Sequence, residues 1–137
     1  MCIRDSVKGG AALAISQSGE SLDTLMAMRH ASELGLKSVG IVNVPESTIA
    51  READLVLPTR AGPEIGVAST KAFTAQLTVL FSLAIRLGLK RGHLTAAQAD
   101  IYETILLGLP GAVGQAIGQF KSVRTVSQYL KLSLIHI

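Results

Sequence analysis

A short, unbroken apolar run, Ala11 to Ile15, breaks off into Ser16-Gln17-Ser18-Gly19-Glu20, and a helical pattern follows at once. No other feature constrains the fold as much. An apolar run without polar alternation marks a strand covered on both faces, as in parallel sheets. In the helical pattern, Leu22, Leu25 and Met26 share one face, and Gly35 supplies a stop. Ser38 to Val44 predicts a second strand closed by Pro45, Ile49 to Glu52 a short helical turn, and Leu55 to Leu57 a third strand before Pro58. Strands alternating with helices predict an α/β fold, a parallel sheet with helices on its faces. Three strands make a thin sheet, because parallel sheets normally have four or more strands and protected edges. The domain is therefore expected to be incomplete, a piece of a longer protein.

After a glycine-containing loop, Arg60 to Ala68, the spacing predicts the longest helix over Ser69 to Leu87. Phe73, Leu77, Leu80, Phe81, Ala84 and Leu87 form its apolar stripe. Its greasiest part, Leu77 to Ile85, is about half the roughly 20 residues a membrane span needs, so a buried helix is expected. Gly88 and Gly92 interrupt the pattern. Thr95-Ala96-Ala97-Gln98 has capping-box spacing and opens a helix towards Leu109, which Pro110 and Gly111 are expected to end. The remainder to Leu130 reads as helical, weakened by Gly111, Gly114 and Gly118.

A chain of 137 residues allows one ordinary domain, and 48% hydrophobic with 17% charged residues excludes a disordered chain. The net charge of +3 is scattered, and no aromatic-basic interleaving argues for a nucleic-acid partner. One cysteine, Cys2, excludes an internal disulfide and a cysteine-built zinc site, no signal peptide is visible, and a cytoplasmic location is expected. The ends, residues 1–5 (MCIRD) and 132–137 (LSLIHI), resemble translated sequencing-adapter DNA and are expected to be non-native, so Cys2 and His136 carry no functional weight.

Two segments carry chemistry. Ser16-Gln17-Ser18-Gly19 lies between a buried strand and a helix, at the carboxyl end of a strand, where open α/β sheets bind ligands. Unpaired N–H groups and a positive dipole end suit a phosphate there. Ser16, Ser18 and Ser21 add hydroxyls, and Gly19 would let backbone approach the anion. The same serines would serve equally well as plain helix caps. Glu20 favours that helix end for the same reason a phosphate does, so it must point away from the anion, towards a group such as a sugar hydroxyl. The second segment, Gly62-Pro63-Glu64-Ile65-Gly66-Val67-Ala68-Ser69-Thr70-Lys71, is a tight loop leading into the long helix. Ser69 and Thr70 can cap that helix or donate to a ligand. Lys71 sits where the dipole disfavours a cation, which suggests either an anionic partner or simple solvation.

ISQSGES (Ile15 to Ser21), DTL (Asp23 to Leu25), IVNV (Ile41 to Val44) and above all AGPEIGVASTKAFTAQL (Ala61 to Leu77) resemble the first sugar-isomerase (SIS) domain of the glutamine–fructose-6-phosphate aminotransferase family. The resemblance runs from Ala11 to Leu89. It implies an α-β-α sandwich of flavodoxin-like type, with a SIS core over 6–92 and helices over 93–131 leading to a second SIS domain. In that family the isomerase half holds fructose 6-phosphate, takes up ammonia released from glutamine by a separate N-terminal domain, and isomerises the product to glucosamine 6-phosphate for hexosamine biosynthesis.

Carried onto matching positions, the resemblance implies that Ser16, Gln17, Ser18 and Ser21 hold the phosphate and that Val67 and Ser69 contact the sugar. The family more often has threonine where this chain has Ser21, but the hydroxyl is kept. No catalytic residue, metal ligand or cofactor is implied within this chain. The family's acid-base glutamate, ring-opening histidine and Schiff-base lysine belong to sequence downstream, and His30, His93, Lys71 and Glu64 do not replace them. By itself the chain is expected not to turn over substrate, and the longer protein to be a homodimer with no membrane or nucleic-acid partner. Alternatives are a SIS-type glucosamine-6-phosphate deaminase or sugar-phosphate isomerase, and a non-catalytic sugar-phosphate sensor.

Overall fold

Strands and helices alternate as far as residue 90, as the apolar pattern requires, and two further helices follow. The structure is a computed structural model, which describes residues 9–65 and 69–130. The terminal segments 1–5 and 132–137 and the expected sugar contact Val67 lie outside the described residues. In chain order the elements are β1 (Ala11–Ser16), α1 (Leu22–Glu33), β2 (Lys37–Val42), α2 (Thr48–Glu52), β3 (Leu55–Pro58), α3 (Lys71–Lys90), α4 (Ala96–Gly118) and α5 (Phe120–Leu130). The chain divides into two compact units, one ending at Ala84 and the other beginning at Ile85.

In the first unit β1, β2 and β3 pair in that order, all parallel, with Ala14 opposite Gly40 and Gly40 opposite Val56. Parallel neighbours need crossovers, and α1 and α2 supply them. Register places Ala14, Val42 and Val56 on one face. There they form a core with Leu25 and Met28 of α1 and Ile49 of α2, joined by Ala50 and Ala53. Fully burying a Leu, Met or Ile side chain contributes about 1.5–3 kcal/mol, so these few residues dominate the unit's apolar stabilisation. At Gly40 a Cβ would sit 3.3 Å from Ile49 Cγ2 and Ala53 Cβ, so its bare backbone sets how closely α2 packs.

Local chemistry fixes the ends of the elements. Helix α1 closes in a Schellman motif, with Gly35 N donating to the Ser32 carbonyl (2.9 Å) and Leu36 N to that of Ala31 (3.1 Å). Gly35 takes the left-handed φ of 80° this motif requires. Before β3, Asp54 accepts from Ser38 N (2.9 Å), Ser38 Oγ (3.0 Å) and Lys37 Nζ (2.6 Å), pinning the start of β2 to that of β3. Arg29 of α1 makes a two-pronged ion pair with Glu52 of α2.

Three expectations change. Leu13 (43%) and Ile15 (39%) are exposed, so β1 has one covered face among the described residues rather than two. The predicted stripe on α3 is also open, with Phe73, Leu77, Phe81 and Leu87 exposed while Ala72 and Ile85 are buried. Periodicity identifies an apolar face but not what covers it. α3 alone among the described helices is long and apolar enough to cross a membrane, by length and composition.

In the second unit, α4 does not stop at Pro110 but runs through it to Gly118. A proline costs its own hydrogen bond and a local clash, together about 3 kcal/mol, and helix propagation on both sides outlasts that local penalty. Its start matches the predicted capping box. Thr95 Oγ1 accepts from Gln98 N (3.2 Å), and Gln98 Oε1 accepts from Thr95 N (2.9 Å).

Candidate sugar-phosphate site

The turn after β1 is built from its own side chains. Ser16 is buried, and its Oγ accepts from Gly19 N at 3.0 Å, which folds the chain back on itself. Ser18 Oγ accepts from Glu20 N at 3.2 Å, a side-chain turn typical of serine. Ser21 occupies the N-cap of α1, yet its side chain makes no cap bond; its Oγ lies 3.1 Å from Ser16 Oγ instead. A serine that merely caps would accept from the second or third helical N–H. Here Ser21 joins Ser16 in a hydroxyl pair beside the α1 N-terminus, where the dipole end is positive. The turn thus brings Ser16, Gln17, Ser18 and Ser21 together.

Gly19 and Glu20 behave differently from expectation. Gly19 is buried at a left-handed φ of 70°, and an added Cβ would fall 1.9 Å from Ser47 Oγ. Its bareness makes room for the loop before α2. Ser47 is itself buried, and among the described residues its Oγ has no hydrogen-bond partner. Glu20 does point away from the turn, but its partner is protein. Its Oε1 accepts from Thr48 N at 2.8 Å, capping α2 from outside, while Ile49 N donates to the Gly19 carbonyl at 3.0 Å. The Thr48 N–H first, then the Thr48 hydroxyl and the Arg51 charge, hold the Glu20 carboxyl below its usual range.

The second loop leaves β3 and is anchored at Asn43, just past the end of β2. Asn43 Oδ1 accepts from Ala61 N (2.8 Å) and Thr59 Oγ1 (3.0 Å), and its Nδ2 donates to the Gly62 carbonyl (2.7 Å). Further on, Glu64 closes over the start of α3, accepting from Ala72 N (3.1 Å), Thr70 Oγ1 (2.9 Å) and Thr70 N (3.4 Å). The Ala72 N–H first, then Thr70 and the Lys71 charge, hold the Glu64 carboxyl below its usual range. A carboxylate of the same chain thus lies within electrostatic reach of Lys71. Ser69 is exposed just before α3, and Thr70 spends its hydroxyl on Glu64 rather than on a ligand.

Sequence reasoning passed over Asn43, Ser47 and the capping roles of Glu20 and Glu64. Position offered one signal for Asn43, which follows the carboxyl end of the middle strand, where α/β sheets gather ligand-binding groups. His30 and His93 are exposed on separate segments. Among the described residues, no group of three or more His, Cys, Asp or Glu side chains could hold a metal ion.

Fold and site together define an α/β domain whose parallel sheet presents a hydroxyl-rich turn and a helix N-terminus at one strand end, the architecture of phosphate-binding domains. The model of the SIS domain family matches residues 6–86, and the chain belongs to that family. It is 50% identical over 120 residues to a glutamine–fructose-6-phosphate aminotransferase (isomerizing) of Zymomonas mobilis, covering 88% of this chain and 20% of that protein. A Bradyrhizobium diazoefficiens protein of the same name is 64% identical over 88 residues, 64% of this chain and 14% of the relative. Among solved structures, the C-terminal domain of glucosamine-fructose-6-phosphate aminotransferase from Francisella tularensis superposes with a TM-score of 0.83 at 38% identity, over 86% of this chain and 33% of that one. The chain thus spans about a fifth of the length of the Zymomonas relative.

Proposed function

We propose that this chain is the sugar-phosphate-binding part of the isomerase half of a glutamine–fructose-6-phosphate aminotransferase, serving hexosamine biosynthesis. The observation that carries the reading is the Ser21 hydroxyl, which leaves the α1 N-terminus uncapped and pairs with Ser16. In this reading Ser16, Gln17, Ser18 and Ser21 hold the phosphate of fructose 6-phosphate or glucosamine 6-phosphate, with α1 amides completing the cradle. Val67 and Ser69 contact the sugar. Residues 6–92 form the binding core, and 93–131 lead towards a second domain of the same kind. Acid-base, ring-opening and Schiff-base chemistry is assigned to other parts of the longer protein, so the segment contributes binding and orientation without catalytic groups or a cofactor. Ammonia released from glutamine elsewhere would be added to a sugar held here.

The longer protein is placed in the cytoplasm as a homodimer, without nucleic-acid or membrane partners. Thr74, Gln76, Thr78, Ser82 and Arg86 along α3 support a core helix rather than a membrane span. The relatives' names do not favour the deaminase or sensor alternatives.

The test uses a full-length aminotransferase carrying this segment. Ser18→Ala is expected to weaken fructose 6-phosphate binding by about 1 kcal/mol or more, read as a rise in KM and in the calorimetric Kd. Ser21→Ala, which removes no cap, is expected to do the same with little change in melting temperature. Unchanged affinity in both variants would sink the phosphate assignment.

A further inference from the structure

The two loops of the proposed site meet at a single residue. Asn43 N donates to the Gln17 carbonyl in the phosphate turn at 3.2 Å. Its side chain makes three hydrogen bonds to the first residues of the other loop, at Thr59, Ala61 and Gly62. We infer that Asn43 is a positioning residue, coupling the turn that holds the phosphate to the loop that approaches the sugar; this rests on the site reading above.

The chemistry of the side chain supports the assignment. Oδ1 takes two donors while Nδ2 meets a carbonyl, so the contact needs an acceptor and a donor on one short, planar group. Asparagine meets that need. Aspartate would set a carboxylate oxygen against the Gly62 carbonyl, and an aliphatic residue would leave the Ala61 N–H and Gly62 carbonyl without this partner. The residue also lies just beyond β2, the middle strand, where the backbone is held on both sides: Thr59 N donates to the Val42 carbonyl at 2.9 Å. A shift of the phosphate turn is thereby passed to Ala61 and Gly62 through the backbone and side chain of one residue. A site for a phosphorylated sugar must hold two ends of one ligand at a fixed separation, and a shared anchor serves that need.

The experiment uses full-length aminotransferase and two readouts. In steady-state kinetics, Asn43→Ala is expected to raise KM for fructose 6-phosphate about three- to tenfold, with kcat held within about twofold. Thr59→Val, which removes one of the three side-chain bonds, should raise it less and serves if Asn43→Ala folds poorly. In hydrogen-deuterium exchange the probe is inorganic phosphate, which carries the group proposed for the Ser16 to Ser21 turn and lacks the sugar proposed for the second loop. Phosphate should slow exchange in both the turn and residues 61–65 of the unmodified protein, and only in the turn of Asn43→Ala or Thr59→Val. Protection confined to the turn of the unmodified protein, or a fall in melting temperature with unchanged KM, overturns the coupling while leaving the phosphate site intact. No protection anywhere, with Ser18→Ala also silent, overturns the site reading and the coupling together.

Discussion

Gly19 shows how one missing carbon can shape a site from behind. Its left-handed φ and the Ser47 hydroxyl 1.9 Å from where a Cβ would stand are separate reasons against any side chain. Left-handed backbone costs a non-glycine residue about 1–2 kcal/mol, and forcing atoms into a packed site adds about 1–3. Gly19→Ala is therefore expected to destabilise the domain by roughly 2–5 kcal/mol and to loosen phosphate binding as well. Chemical denaturation of the variant checks this, and a loss below about 1 kcal/mol would mean that Ser47 simply moves aside. That the turn needed glycine was legible in the sequence. The reason was not, because Ser47 lies far along the chain and reaches Gly19 only through the crossover between β1 and β2.

At the scale of elements, carboxylates fasten the first unit together. Glu20 caps α2, Glu64 caps α3, and Asp54 ties the starts of β2 and β3. The Lys37 ammonium first, then the Ser38 backbone N–H and hydroxyl, hold Asp54 down at about 2 from 3.8. A carboxyl with a lowered folded pKa stabilises the fold fully above its unfolded pKa and loses that contribution as pH falls through the folded one. Stability should therefore decline between about pH 4 and pH 2, with Glu20, Glu52 and Glu64 acting in the same direction. Urea midpoints followed by circular dichroism at low protein concentration should show a shallower acid slope in Asp54→Asn. An unchanged slope would show that this network does not govern acid stability.

For the molecule as a whole, the exposed apolar surface matters most. Leu13 and Ile15 of β1, Leu55 of β3, and Phe73, Leu77 and Phe81 of α3 are open to solvent, and β1 and β3 are the sheet's edges among the described residues. In the second unit, Ile101, Ile105 and Leu107 of α4 and Phe120, Val123 and Val126 of α5 are likewise exposed. Uncovered strand edges and contiguous apolar faces promote association. The isolated chain is expected to self-associate, with a mass by light scattering that grows with concentration. A monomer that unfolds cooperatively would count against this.

Local chemistry in the chain itself determined most of the elements. The apolar run of β1, the glycine that closes α1, the Thr95–Gln98 capping box and the alternation of strands and helices act between near neighbours, so they can be read residue by residue. The serine-rich turn was legible as a phosphate cradle or a cap for the same reason. Tertiary structure alone decided where the Ser21 hydroxyl turns, which is towards Ser16 Oγ rather than to a helical N–H. It also decided that Glu20 caps α2 rather than α1, that Glu64 closes over the start of α3, that Pro110 sits within α4, and that one residue after β2 anchors both loops. The contacts of Glu20 and Asn43 join segments brought together by parallel register, and register follows from burial across strands rather than from any local pattern.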